Sequence, residues 1–251
     1  MQRFLPAITS ALILIVAAVA APPASANADR ECFDIRAAGR ARVPPRGSAV
    51  ALEVLVNDDC SLTYLPARVI PVAEVPAPPS GYASRSIRGA LHGSEGSTRS
   101  AVDPDYHIVN KVQDKIGLVM TYLQTDLTWT ENGSVITSGS GKNTARWHPE
   151  AFCGLNTGWK LEVLTGGQSG GGVGSPYATW WGHAEWSYKG FFCGCNPTTY
   201  YNIFDNSVTG TAGGIPPECS FAQSFRNTFS GWRMIVFCYD PLVTKKDVTI
   251  P

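Results

Sequence analysis

Apolar and polar residues alternate over short stretches along most of this chain, and turn-forming residues separate the stretches. Gly47–Val56, GSAVALEVLV, reads as a strand; Asn57-Asp58-Asp59 turns it, and CSLTYLP returns as a second strand. The run GWKLEVL puts Trp159, Leu161 and Val163 on one face. In YATWWGHAEWSY, one face carries Ala178, Trp180, Gly182, Ala184 and Trp186, and the other Thr179, Trp181, His183, Glu185 and Ser187. TTYYNIF, SVTGTAG and WRMIVFCYD continue the series as a meander. Asn132-Gly133 between DLTWTE and SVITS is a two-residue hairpin signal.

One stretch supports two readings. Val109, Val112, Ile116, Val119 and Leu123 recur at helical spacing, but Gly117 interrupts them and TYLQTDLTWT is rich in strand formers. Strands are the favoured reading. The whole pattern predicts an all-β protein: an antiparallel β-sandwich supported by disulfides, with a small N-terminal β-hairpin segment.

The domain plan follows from breaks in this pattern. Residues 1–26 combine Arg3, an apolar stretch and the small residues Ala24-Ser25-Ala26, which predicts a signal peptide cleaved near Ala26. Residues 27–75 form an N-terminal β segment. Residues 76–105 are rich in Pro, Gly and Ser with little apolar periodicity, the mark of a linker or long loop. Residues 106–251 form the main sandwich. Charged residues make up only 16% and the formal net charge is zero, a balance that argues against nucleic-acid binding. No second apolar stretch offers a membrane span in the mature chain.

Seven cysteines, Cys32, Cys60, Cys153, Cys193, Cys195, Cys219 and Cys238, follow the leader. An exported chain carries them as disulfides, and an odd count leaves one unpaired. Proximity along the chain pairs Cys32 with Cys60, Cys153 with Cys193 or Cys195, and Cys219 with Cys238. Cys193 and Cys195 are too close to join each other, and their spacing lacks the pattern of a zinc site. No metal or other cofactor is expected.

Gly167-Gln168-Ser169-Gly170-Gly171 makes the most direct chemical suggestion, because it fits the G-x-S-x-G pattern of serine hydrolases. It also resembles the nucleophile motif of trypsin-like proteases, which would require His92 or His107 with Asp126. Gln168 stands where that motif has Asp, and neither histidine has that family's surroundings. The segment reads better as a mobile hairpin tip, with Ser169 a catalytic residue only in the minor alternative. His148, in RWHPE, reads as a turn residue, and Arg85, Arg88 and Arg99 are too dispersed for a basic tract.

The better candidate surface is the polar face of the strand around residues 177–188. There Trp181 offers an aromatic platform beside His183 and Glu185, a combination suited to a sugar ring or a flat apolar group. The expected function is that of a secreted, non-catalytic protein binding carbohydrate or protein at or outside the cell surface. The alternatives are a secreted hydrolase, serine-type or carboxylate-based, and a structural envelope component.

Overall fold

The computed structural model describes residues 32–78, 80–93, 104–149, 158–190, 198–228 and 230–241. The leader with its cleavage site, Arg99, and Cys153, Cys193 and Cys195 with their expected pairing lie outside the described residues. Two antiparallel sheets pack face to face as a β-sandwich, with no α-helix among the described residues. The smaller sheet has five strands in the order β1 (Ile35–Arg42), β12 (Glu218–Arg226), β11 (Thr198–Thr211), β10 (Tyr177–Gly190) and β9 (Lys160–Gly171). The larger sheet has the order β3 (Leu62–Tyr64), β2 (Ser48–Val56), β13 (Arg233–Tyr239), β6 (Asp105–Gln113), β7 (Val119–Glu131), β8 (Ile136–Trp147) and β5 (Ala83–Ala90). An eighth strand, β4 (Arg68–Pro71), pairs with the other end of β2.

The N-terminal hairpin is built into this sandwich. Strand β2 pairs with β3 and also with β13, while β1 forms an edge of the opposite sheet through β12. Residues 76–105, which the sequence pattern marks as a linker or long loop, contain strand β5, paired with β8 from Ala83↔Trp147 to Ala90↔Ser140. The difference has a physical cause. Strand β5 is a mostly exposed edge, so it lacks the apolar alternation that marks a half-buried strand. The stretch with helical spacing forms β6 and β7, joined at Gly117, whose φ of 88° suits a residue without Cβ. The turn from β7 to β8 covers residues 132–135 and not the two-residue Asn132-Gly133 loop expected: the Asn132 N–H donates to the Val135 carbonyl at 3.2 Å, and the Asn132 Oδ1 accepts the Val135 N–H at 3.1 Å.

Two disulfides tie the sheets together. Cys219 on β12 joins Cys238 on β13 through the core, and Cys32 beside β1 joins Cys60 in the β2–β3 turn. Both pairs are those expected from proximity along the chain.

The interior has two apolar halves. One gathers Trp159, Trp186, Tyr188, Tyr200, Phe204, Phe225 and Trp232, and the other holds Ile108, Leu127, Trp129, Trp180, Val208 and Phe221. Five of the seven tryptophans, 129, 159, 180, 186 and 232, are buried, so most of this residue type serves the core. The indole of Trp180 lies flat against the cross-strand pair Gly89 and Gly141. A Cβ added at Gly141 would stand 1.9 Å from Trp180 Cδ2.

A belt of buried amides and small residues separates the halves. Asn206, Gln223 and Gly182 form the row on the smaller sheet and Asn110, Thr125 and Asn143 on the larger, with Asn206 facing Asn110 and Gly182 facing Thr125 and Asn143. The Asn110 Nδ2 donates to Asn206 Oδ1 at 3.4 Å, and the Asn206 Nδ2 to the Leu123 carbonyl at 3.2 Å.

Two bulges set the register of edge strand β9. Leu161 pairs with Trp186 and Val163 with Glu185, so Glu162 is extra and the alternation reverses there. As a result Leu164, not Val163, reaches the core beside Trp159, which corrects the uninterrupted Trp159-Leu161-Val163 face. The second bulge falls at Ser169, between the pairs Gln168↔Trp180 and Gly170↔Thr179.

Candidate functional site

The outer face of the five-stranded sheet is assembled by cross-strand register. One lateral row runs Arg40, Ser220, Ser207, Trp181 and Gly167 across β1, β12, β11, β10 and β9. The adjacent row runs Ala38, Ala222, Asp205, His183 and Thr165. Alternation directs these side chains outward, because their neighbours Trp180, Ala184, Phe204, Val208 and Phe221 belong to the core. A groove of about 490 Å³ opens between the rows, lined by Arg40, Trp181, Asp205, Ser207, Ser220 and the small Ala38 and Ala222. Its size falls within the usual range for small-ligand sites.

Each wall has a local cause. The alanines leave the depression where the two rows meet. Gly167 leaves space beside the indole of Trp181: a Cβ there would stand 3.9 Å from Trp181 Nε1. On the floor, the hydroxyls of Ser207 and Ser220 are 2.7 Å apart. Behind the groove, the amide belt holds the backbone, since Asn143 Nδ2 donates to the Trp181 carbonyl at 3.0 Å.

His183 stands at the rim between two carboxylates. Its Nδ1 lies 2.7 Å from Asp205 Oδ1, directly across the β10–β11 pair, and its Nε2 lies 3.0 Å from Glu185 Oε1, two residues along β10. A ring that donates from both nitrogens is an imidazolium. The Asp205 hydrogen bond raises the His183 pKa; partial burial opposes it, and Glu185 adds to the rise.

The same device recurs on the outer face of the larger sheet. His107 Nδ1 lies 3.0 Å from Asp126 Oδ1 across β6–β7, and Nε2 lies 3.1 Å from Asp105 Oδ1, two residues away on β6. Burial pulls His107 down, but the hydrogen bonds and charges of Asp105 and Asp126 outweigh it and lift the pKa to about 9. Among the described residues no cluster of three or more His, Cys, Asp or Glu side chains has an arrangement that could hold a metal ion. In both clasps the carboxylates sit on opposite nitrogens of the ring and do not converge on one point.

The structure gives Ser169 a different setting from the one its sequence suggests. Strand β9 continues to Gly171, so Ser169 is an exposed bulge residue on an edge strand and not the hairpin tip. Gln168 anchors the bulge: its Oε1 accepts the His92 N–H at 2.7 Å, and its Nε2 donates to the Gly171 carbonyl. His107 and Asp126 do meet, but in the other sheet from Ser169. Among the described residues no histidine hydrogen-bonds the Ser169 hydroxyl. His148 takes a packing role, its ring edge-on to Tyr82 and its N–H donating to the Met120 carbonyl.

Trp181, His183 and Glu185 thus share one face, with Trp181 in the groove and the other two at its rim. Sequence reasoning alone does not single out Arg40, Asp205, Ser207 or Ser220. The alternation in FDNSVTG is a signal that marks Asp205 and Ser207 as outward-facing. Only the strand register places them beside Trp181. Compared with known proteins, the chain matches no family model, no curated protein and no solved structure.

Proposed function

We propose that this is an exported protein, freed of residues 1–26, that binds carbohydrate without catalysis on the outer face of its five-stranded sheet. The groove between Trp181 and Arg40 carries this reading. An indole wall beside a floor of hydroxyl and carboxylate groups suits a sugar, whose ring has apolar C–H faces and an equatorial belt of hydroxyls. The leader and the two described disulfides support an oxidising, extracellular setting. A carboxylate-based hydrolase is the weaker reading, because the ring of His183 occupies the space between Glu185 and Asp205 where substrate and water would have to stand.

The test is a printed panel of oligosaccharides probed with the mature chain and with Trp181→Ala. Binding to one glycan class that is lost in Trp181→Ala, with unfolding behaviour unchanged, supports the reading. A panel without binding, or binding indifferent to Trp181, removes it.

A further inference from the structure

The groove has an electrostatic direction that composition conceals, since the chain as a whole is neutral. Its β1 side is basic. Arg36, Arg40 and Arg42 occupy alternate-face positions of one edge strand, all exposed, while Ala37 and Ala41 of the same strand are buried. Arg40 lines the groove, with Arg36 and Arg42 on either side along the strand. Its contact with Glu218, 3.7 Å between two largely exposed side chains, is weak enough to be exchanged for a ligand. The far side carries Asp205 and Glu185, whose two negative charges the His183 imidazolium between them only half compensates, so the basic end of the groove is the β1 end.

We propose that the ligand is an acidic glycan, with a pyranose ring against Trp181 and a carboxylate or sulfate group at Arg40. This rests on the carbohydrate-binding reading above and adds the charge and direction of the ligand. Three inter-strand steps separate β10 from β1, so the backbones of Trp181 and Arg40 are about 14 Å apart. A short oligosaccharide therefore lies across the strands, with its hydroxyls over Ser207 and Ser220 between the two anchors. A guanidinium fits a carboxylate or sulfate through paired N–H donors, and a neutral hydroxyl offers neither the second acceptor nor the opposite charge.

The site also predicts its response to solution conditions. Losing the His183 proton would leave both Asp205 and Glu185 uncompensated near an anionic ligand, so binding weakens as pH rises through the raised His183 value. The groups facing His183 are Asp205 and Glu185 on its two nitrogens, with Trp181 and Thr165 beside it in the sheet. Added salt weakens binding in the same direction by screening Arg40 and its neighbours.

The experiment compares pectin-, heparin- and chondroitin-derived oligosaccharides with neutral cello-, xylo- and manno-oligosaccharides by titration calorimetry. The mature chain is tested beside Arg40→Ala, Arg40→Lys and Trp181→Ala. The expected result is preferential binding of acidic probes, weakened about tenfold in Arg40→Ala, partly restored in Arg40→Lys, and lost in Trp181→Ala. Equal binding of neutral and acidic probes, or acidic binding unaffected by Arg40→Ala, overturns the inference while leaving carbohydrate binding intact. Failure of every probe overturns both.

Discussion

The side chain of Asn143 reaches across the interior of the sandwich and donates its Nδ2 proton to the backbone carbonyl of Trp181, 3.0 Å away. The residue that forms the groove's aromatic wall is thereby tied to the opposite sheet. Asn143 is fully buried and the bond is partly buried, so Asn143→Ala removes the donor from a carbonyl with limited access to water. The expected loss is about 1–3 kcal/mol of stability, read by urea denaturation, with weakened glycan binding at Trp181. Unchanged stability would mean that the bond contributes nothing net.

The path of that side chain depends on a glycine pair. Gly182 and Gly166 are cross-strand partners, and a Cβ added to Gly182 would come within 2.3 Å of Asn143 Oδ1 and 2.5 Å of Thr125 Oγ1. Gly182→Ala should therefore lower the melting temperature by several degrees, an overpacking cost of about 1–3 kcal/mol. Gly174→Ala is a useful contrast: its φ of 83° makes a Cβ strained, but no atom lies within 4 Å. Its smaller loss would come from backbone strain alone.

His107 gives stability a pH dependence with a definite sign. It holds its proton more tightly in the folded chain, at about 9, than at its ordinary value of 6.5. The stabilisation is complete below about pH 6.5 and is lost as pH rises toward 9. A gap of this size corresponds to something on the order of 3 kcal/mol. The neighbouring phenols of Tyr122 and Tyr239 stay protonated through this window because burial pushes them upward. His183 contributes a slope of the same sign, so the informative comparison is wild type against His107→Gln. Unfolding measured near pH 6 and near pH 10 should show a smaller difference in the variant, and equal slopes would remove His107 as the cause.

The two sheets are joined covalently at Cys219–Cys238. Replacing both with Ala should cost roughly 3 kcal/mol, the loop-closure entropy of a bridge spanning about this length. Peptide mapping without reduction should return the Cys32–Cys60 and Cys219–Cys238 peptides; other partners for these four would contradict the sandwich.

Gln168 and Ser169 separate the structural from the chemical reading of the glycine-rich segment. Gln168→Ala removes the tie to His92 and Gly171 and should cost about 1 kcal/mol. Ser169→Ala, at an exposed bulge, should stay within about 0.5 kcal/mol of wild type. A fluorophosphonate probe should leave Ser169 unlabelled, and specific labelling lost on denaturation would restore the hydrolase reading.

Several elements are legible in the residue pattern. The alternation in YATWWGHAEWSY puts Trp180, Ala184 and Trp186 on the buried face, because a strand's side-chain period is two whatever it pairs with. The turn signal at Asn132-Gly133 is equally local, although the loop it marks runs over residues 132–135. Strand β5 is hidden because its inner face offers only the half-buried Ile87 and the small Ala83 and Gly89, too little apolar alternation to mark a strand. The bulge at Glu162 is hidden because a register shift is a property of the β9–β10 pair and not of β9 alone.

The sequence by itself determined the all-β class, the antiparallel sandwich, two of the disulfide pairs and the outward face shared by Trp181, His183 and Glu185. Each depends on local periodicity or on short chain separation. Only the tertiary structure decided that Arg40, Ser220 and Ser207 complete a row with Trp181, and that Asp205 clasps His183. Arg40 comes from β1, far in the chain from the consecutive strands β10, β11 and β12 that carry the others, and the contacts are fixed by inter-strand register and by the pairing of β1 with β12. The docking of β1 onto the end of that meander is a global outcome of burying both inner faces at once, and no short window of residues contains it.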